Sequence, residues 1–286
     1  MPLIERLAVI GVGLIGGSLA RALRAKGEVG EIIGIGRGEA NLCRAVELGV
    51  IDCYSHDPLA GVAGADMVFM ATPVRSIVPM ISAIAPALAP GAVVTDGGSV
   101  KEEVVLPCER LMPKGTHFVG GHPIAGTEHS GVEASFATLY ENRRCIITPT
   151  VATDKDALQK VRRMWEVAGS EVVLMDVHKH DRVLAAVSHL PHMVAYSLVN
   201  AVGSYDRYEE SILSYSAGGF RDFTRIASSD PVMWRDIAMM NRESILEMID
   251  LFSGHLGKLR EMVAAGDAAG LEEFFSRSKE LRDAIL

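Results

Sequence analysis

The chain has 286 residues, of which 49% are hydrophobic and 22% charged, with a net charge of −8. This composition suits a globular protein with a sizeable core, built as one large domain or two ordinary ones. The acidic balance argues against a general nucleic-acid or anionic-membrane surface, so an anionic substrate needs arginines placed locally against the overall charge.

In chain order, the apolar run 7–10 is closed by glycines and predicts a buried parallel strand. Residues 14–26 have helical spacing, with Leu19, Ala22 and Leu23 on one side. Residues 32–35 predict a second strand, and 41–48 a second helix stopped by Gly49. Further strands are expected at 65–71, 92–96, 117–119 and 145–148. A helix at 154–168 and a last edge strand at 171–175 follow. The longest uncharged run, 76–95, is long enough to raise the question of a membrane span. Pro79, Pro86 and Pro90 interrupt it and polar residues are mixed in, so a helix followed by a turn is expected instead.

Beyond 178 the pattern contains no strand. Residues 181–202 are helical by periodicity despite Pro191, which should kink the helix or mark a functional break. Asp230-Pro231 is a helix start, an N-cap followed by proline at the first helical position. The helix it opens carries Ile237, Met240, Ile245, Met248, Leu251 and Phe252 at three-to-four spacing. A final helix covers 271–284. The expected architecture is α/β: a Rossmann-type doubly wound parallel sheet over 1–176, then an all-α region over 177–286.

Four cysteines, Cys43, Cys53, Cys108 and Cys145, stand far apart with no Cys-x-x-Cys pair. That pattern reads as reduced thiols in a cytoplasmic protein. Residues 1–6 run straight into a strand, with no basic n-region or apolar h-region, so no signal peptide is expected.

Gly11-Val12-Gly13-Leu14-Ile15-Gly16 follows a strand and opens a helix, the context a dinucleotide fingerprint requires. Gly11 permits the tight turn, Gly13 lets the pyrophosphate approach, and Gly16 lets helix and strand pack closely. With Leu14, Ile15 and Thr72 they form the expected cofactor-binding set. The second strand should end in an acid if the cofactor is NAD. It ends instead in Gly36-Arg37. Glycine leaves room for a 2′-phosphate and arginine can pair with it, which favours NADP, with NAD as the alternative. The plainer alternative is that Arg37 is a solvated charge stacking on adenine.

Of nine histidines, His56, His117 and His255 have no partners in sequence. The runs His178-Lys179-His180-Asp181 and His189-Leu190-Pro191-His192 match no zinc signature, and no metal is expected. His122, in the loop Gly120-Gly121-His122-Pro123-Ile124-Ala125-Gly126-Thr127-Glu128, is different. It follows a strand end, where open α/β sheets bind ligands, and an alcohol losing hydride needs an acceptor for its proton. The plainer alternative is a structural histidine capping a turn. Arg221 and Arg225 follow the flexible Gly218-Gly219-Phe220, and arginine is the preferred carboxylate clamp.

Taken together, the fingerprint with Gly17-Ser18, Asp96-Gly97-Gly98-Ser99-Val100-Lys101, the His122 loop, Ser188-His189-Leu190-Pro191-His192, the 218–227 segment and 231–237 resemble the prephenate and arogenate (cyclohexadienyl) dehydrogenase family. The resemblance spans about 7–241. It implies an NAD(P)-dependent oxidative decarboxylation in tyrosine biosynthesis, acting on prephenate or arogenate, and a homodimer held by the helical part. It implies that His122 is the catalytic histidine facing the substrate's ring hydroxyl. Ser99 would bond the same hydroxyl and help orient that histidine. Arg225 would bind a substrate carboxylate, and His192 and Glu128 would line the site. Many members carry an acid where Gly36-Arg37 stand, which puts NAD preference in doubt. No chorismate mutase segment or amino-acid-binding regulatory domain is expected. The alternatives are another Rossmann-plus-helical dehydrogenase, of the 3-hydroxyacid or imine reductase type, and a non-catalytic NADP(H)-binding sensor. The first would place a catalytic lysine or tyrosine in the helical part.

Overall fold

The structure is a computed structural model and describes residues 1–127, 129–205 and 212–285. The first half alternates strand and helix: β1 (Ile4–Ile10), α1 (Leu14–Ala25), β2 (Val29–Ile35), α2 (Glu39–Glu47), β3 (Cys53–Ser55), α3 (Pro58–Val62), β4 (Met67–Met70), α4 (Val74–Ile84), β5 (Val93–Asp96), α5 (Glu102–Leu111), β6 (His117–Pro123), β7 (Arg144–Thr148), α6 (Lys155–Val167) and β8 (Glu171–Leu174). The eight strands form one sheet in the order β3-β2-β1-β4-β5-β6-β7-β8. The chain runs outward one way from β1 and the other way from β4. The crevice beyond the carboxyl ends of these two strands is therefore the topological switch point, where such sheets bind ligands.

Side chains of the central strand divide by a period of two. Leu7 and Val9 join one core layer with Leu19 and Leu23 of α1, Leu42 of α2 and Trp165 of α6. Ala8 and Ile10 join the other with Val62 of α3, Ile81 of α4 and Val104 of α5. A strand buried on both faces must be apolar throughout, which is why β1 was legible as a run and not as an alternation.

Three features depart from the expected outline. The sheet is not wholly parallel, because β7 pairs antiparallel with β6 (Gly121 opposite Ile147). Strand β3 is additional; it is three residues long, Cys-Tyr-Ser, and too short for a period to register. Strand β6 continues through Pro123, so His122 lies within a strand and not in the loop after one. The uncharged run is, as expected, a helix followed by a turn: α4 contains Pro79 and ends in a 3₁₀ turn at Ala85–Ala87. No helix of the described residues is long and apolar enough to cross a membrane.

The second half is helical among the described residues: α7 (Val177–Leu184), α8 (Leu190–Tyr205), α9 (Gly218–Thr224), α10 (Pro231–Met240), α11 (Arg242–Ala265) and α12 (Ala268–Asp283). Helix α7 starts earlier than its periodicity indicates, because the Asp176 side chain caps it by accepting from the Lys179 amide. Between α7 and α8 the helix widens into a π turn at Ala185–His189. Pro191 has no N–H to give the turn before it, and a wider turn accommodates both the missing donor and the ring. The helix opened at Asp230 is capped as expected, its carboxylate accepting from Val232 and Met233. It breaks at Asn241, however, and α11 begins after it.

Candidate active site

The glycine loop after β1 sits at the switch point. Gly11 has φ +96°, and a Cβ there would lie 2.5 Å from the Ala71 carbonyl oxygen at the end of β4. A Cβ on Gly16 would lie 2.2 Å from the Gly11 carbonyl oxygen, so α1 packs on the loop at a distance only glycine allows. Gly13 is the N-cap of α1, has no side-chain cap, and faces open space. The first-turn amides of α1, beginning at Leu14 and Ile15, are thus left for an anion. The Thr72 hydroxyl is buried with no partner among the described residues. Uncapped amides, an open glycine face and an orphaned hydroxyl at one crevice fit a dinucleotide. At the end of β2, Arg37 is exposed, and a Cβ on Gly36 would meet only Leu42, at 3.6 Å. His56 Nδ1 lies 2.9 Å from the Gly36 carbonyl oxygen and fixes that strand end.

Strands β5 and β6 bring Ser99 and His122 to the same edge of the sheet. Fully buried Lys101 pairs with fully buried Asp96 and donates to the Gly121 carbonyl at 2.8 Å. Asp96 in turn accepts from the Gly121 amide at 3.1 Å and the Gly98 amide at 2.8 Å. This clamp holds the 97–98 turn and the backbone one residue before His122.

The His122 ring is 9% exposed, and its Nδ1 lies 2.9 Å from His180 Nε2. His180 Nδ1 lies 2.7 Å from an Asp181 carboxylate oxygen. That carboxylate also accepts from the amides of Lys101 and Glu102, both at 2.9 Å. The contacts fix the tautomers. A carboxylate only accepts, so His180 Nδ1 carries hydrogen and its Nε2 accepts from His122 Nδ1–H. His122 Nε2 is left as a lone pair with no hydrogen-bond partner among the described residues. Burial pushes His122 well below the ordinary histidine value, and His180 and Lys101 push the same way. Burial also lowers His180. Burial pushes the Asp181 carboxyl up, but the His180 ring and the two amides together hold it below the ordinary value.

In the helical half, His192 is half-buried, bonds the Ser188 carbonyl through Nδ1 at 2.9 Å, and stacks on Trp234 with ring centroids 3.6 Å apart. Burial lowers its pKa, and the nearby Arg225 charge adds to the effect. Arg225 itself is exposed at the end of α9. The structure therefore brings His192 and Arg225 into one neighbourhood. It holds His122 through His180, with no hydrogen bond from Ser99 to that ring. Glu128 lies outside the described residues.

A family model for the nucleotide-binding domain of prephenate dehydrogenase matches residues 19–174, and one for the prephenate dehydrogenase dimerization domain matches 176–277. The chain belongs to the prephenate dehydrogenase family. It is 37% identical to prephenate dehydrogenase of Bacillus subtilis, over 98% of this chain and 76% of that protein. It is also 37% identical to cyclohexadienyl dehydrogenase of Zymomonas mobilis, over 100% and 97%. Prephenate dehydrogenase of Aquifex aeolicus, solved with hydroxyphenyl propionate and NAD+, superposes with a TM-score of 0.93 at 40% identity, covering 99% of this chain and 98% of that one. The protein is thus a nicotinamide-dependent dehydrogenase of tyrosine biosynthesis.

For a prephenate dehydrogenase family member, the residues that sequence reasoning missed are His180, Asp181 and Lys101. The signal for the first two was present. The residues α7 buries are Val177, His180, Asp181 and Leu184, a helical stripe in which a His-Asp pair occupies core positions. Asn241 was missed as well. Its side-chain amide donates to the Asp181 carbonyl at 2.8 Å and to His189 Nδ1 at 3.1 Å, and burial pushes His189 down to about 4.

Proposed function

We propose that this chain catalyses oxidative decarboxylation of prephenate or arogenate, with His122 as the proton acceptor and NADP as the preferred cofactor. One observation supports the reading: a buried, neutral imidazole presents an Nε2 with no partner among the described residues, at the same end of the sheet as a dinucleotide crevice. When bound, the nicotinamide supplies the hydride acceptor. Gly11, Gly13, Leu14, Ile15, Gly16 and Thr72 would hold it, and Arg37 would meet a 2′-phosphate that Gly36 leaves room for.

His122 Nε2 accepts the hydrogen of the substrate's ring hydroxyl as hydride leaves the carbon that bears it. Ser99 lines the same end of the site. Arg225 pairs with a substrate carboxylate, with His192 beside it. The ring carboxylate departs as carbon dioxide and the ring aromatises. Aromatisation supplies much of the driving force, so the side chains act mainly by positioning and charge. Residues 1–176 hold the cofactor, and 177–286 join two copies in a cytoplasmic homodimer.

The test is nicotinamide absorbance with purified protein and the four pairings of prephenate or arogenate with NAD or NADP. Reduction with at least one substrate, faster with NADP, is expected. Binding of NADP(H) with no reduction in any pairing would identify a sensor instead.

A further inference from the structure

The bonds around His122 form a line that ends. His122 Nδ1–H donates to His180 Nε2, and His180 Nδ1–H donates to Asp181. Among the described residues the other hydrogen-bond partners of that carboxylate are the Lys101 and Glu102 amides, which donate and cannot receive a proton. His180 is 0% exposed and Asp181 3%. A proton entering at His122 Nε2 therefore has no onward route through these groups.

We propose, building on the function above, that His180 stores the substrate's hydroxyl proton during the reaction and returns it to the product through His122. As hydride leaves the carbon, the hydroxyl O–H bond breaks and a bond forms to His122 Nε2. His122 Nδ1 gives its own proton to His180 Nε2. His122 is then neutral in its other tautomer, and His180 is an imidazolium directly against ionised Asp181. Loss of carbon dioxide leaves the electron pair in the ring, which becomes a phenolate. The two transfers then reverse, and the phenolate oxygen takes the proton from His122 Nε2. No proton enters or leaves, which matches a reaction that turns a ring alcohol into a phenol. Lys101 disfavours a charge on both rings, and the charge settles on His180 because that ring alone touches the Asp181 carboxylate. The charged and titratable groups around the pair are Asp181, Lys101, Asp96 and His189.

The test uses His180→Gln. Its side-chain carbonyl can accept from His122 Nδ1–H, keeping ring and tautomer in place, but it cannot take a proton. The expected result is a kcat lower by roughly ten- to a hundredfold, substrate KM within about twofold, and a displaced acid limb of the kcat–pH profile. A second measurement uses the unmodified enzyme. Stopped-flow with a pH indicator should show no proton released in step with nicotinamide reduction, before carbon dioxide hydrates. A proton burst equal to the reduced cofactor, or a His180→Gln enzyme with unchanged kcat and pH profile, overturns the proposal and leaves the function intact. No reduction by the unmodified enzyme with either substrate overturns both.

Discussion

The sheet half and the helical half solve burial differently. In the sheet half, α1 buries eight of its 12 residues, and the strands they pack on are buried on both faces. In the helical half, α11 buries one residue of 24, Ile245, and α12 buries none of 16. Leu256, Val263, Phe275 and Leu281 there are each more than half exposed. An apolar surface of that extent marks an interface, and a second copy of the chain is the occupant that the dimerization-domain match supports. The two halves nonetheless share one site. The imidazole proposed to face the substrate comes from β6, and the pair that orients it comes from α7. On that proposal the self-contained half supplies the reacting group, and the half that needs a partner holds it in place.

The largest effect should come from the sheet half. His122→Asn removes the acceptor while leaving the glycine loop untouched. Turnover should fall on the order of a hundred- to ten-thousandfold, with NADP affinity, read by fluorescence titration, unchanged. Near-normal turnover would remove His122 from its role.

The helical half is tested by Leu256→Glu. A symmetric dimer carries the change twice, and each copy forfeits about 1.5–3 kcal/mol of apolar burial and buries a charge besides. Sedimentation should show monomers, with NADP still bound by the sheet half. A dimer of unaltered stability would place the interface elsewhere.

Arg225→Gln tests the helical half's share of the site. It deletes a charge-assisted contact of roughly 1.5–3 kcal/mol, so substrate KM should rise about tenfold or more with cofactor affinity little changed. If cofactor binding collapses instead, Arg225 serves the dinucleotide or the fold.

The smallest effect expected is at the rim of the crevice. Gly36→Asp with Arg37→Ile should reverse a modest preference for NADP, since a carboxylate would bond the free ribose hydroxyls and repel a 2′-phosphate. An unmodified enzyme that prefers NAD by about tenfold would make Arg37 an adenine-stacking or solvated residue.

The halves also differ in how far they were legible. Long apolar runs and a glycine fingerprint disclose β1, β2 and α1 because period and turn chemistry are local. The direction of β7 is not local, since a strand's pattern is the same whichever way it pairs. The two-helix division at Asn241 escaped because apolar spacing continues through it, while the backbone there turns out of the helix (φ −107°, ψ 40°). Around the site, His122 was conspicuous among glycines. Its support was not, because His180 and Asp181 resemble a surface run until their places on the buried stripe of α7 are counted. Lys101 stood in a quoted motif, yet only the fold reveals that a lysine there is wholly enclosed and paired.

The pH dependence of kcat examines the neutral, buried acceptor most directly. Protonated His122 has no lone pair to offer, so turnover must fall as pH drops through its pKa. Burial holds that pKa well below the ordinary 6.5. The profile should therefore be level from about pH 8 to the ordinary value of about 6.5, with an acid limb centred below it that His122→Asn abolishes. A limb centred at or above the ordinary value, or one that survives in His122→Asn, would contradict a desolvated His122 as the group that receives the proton.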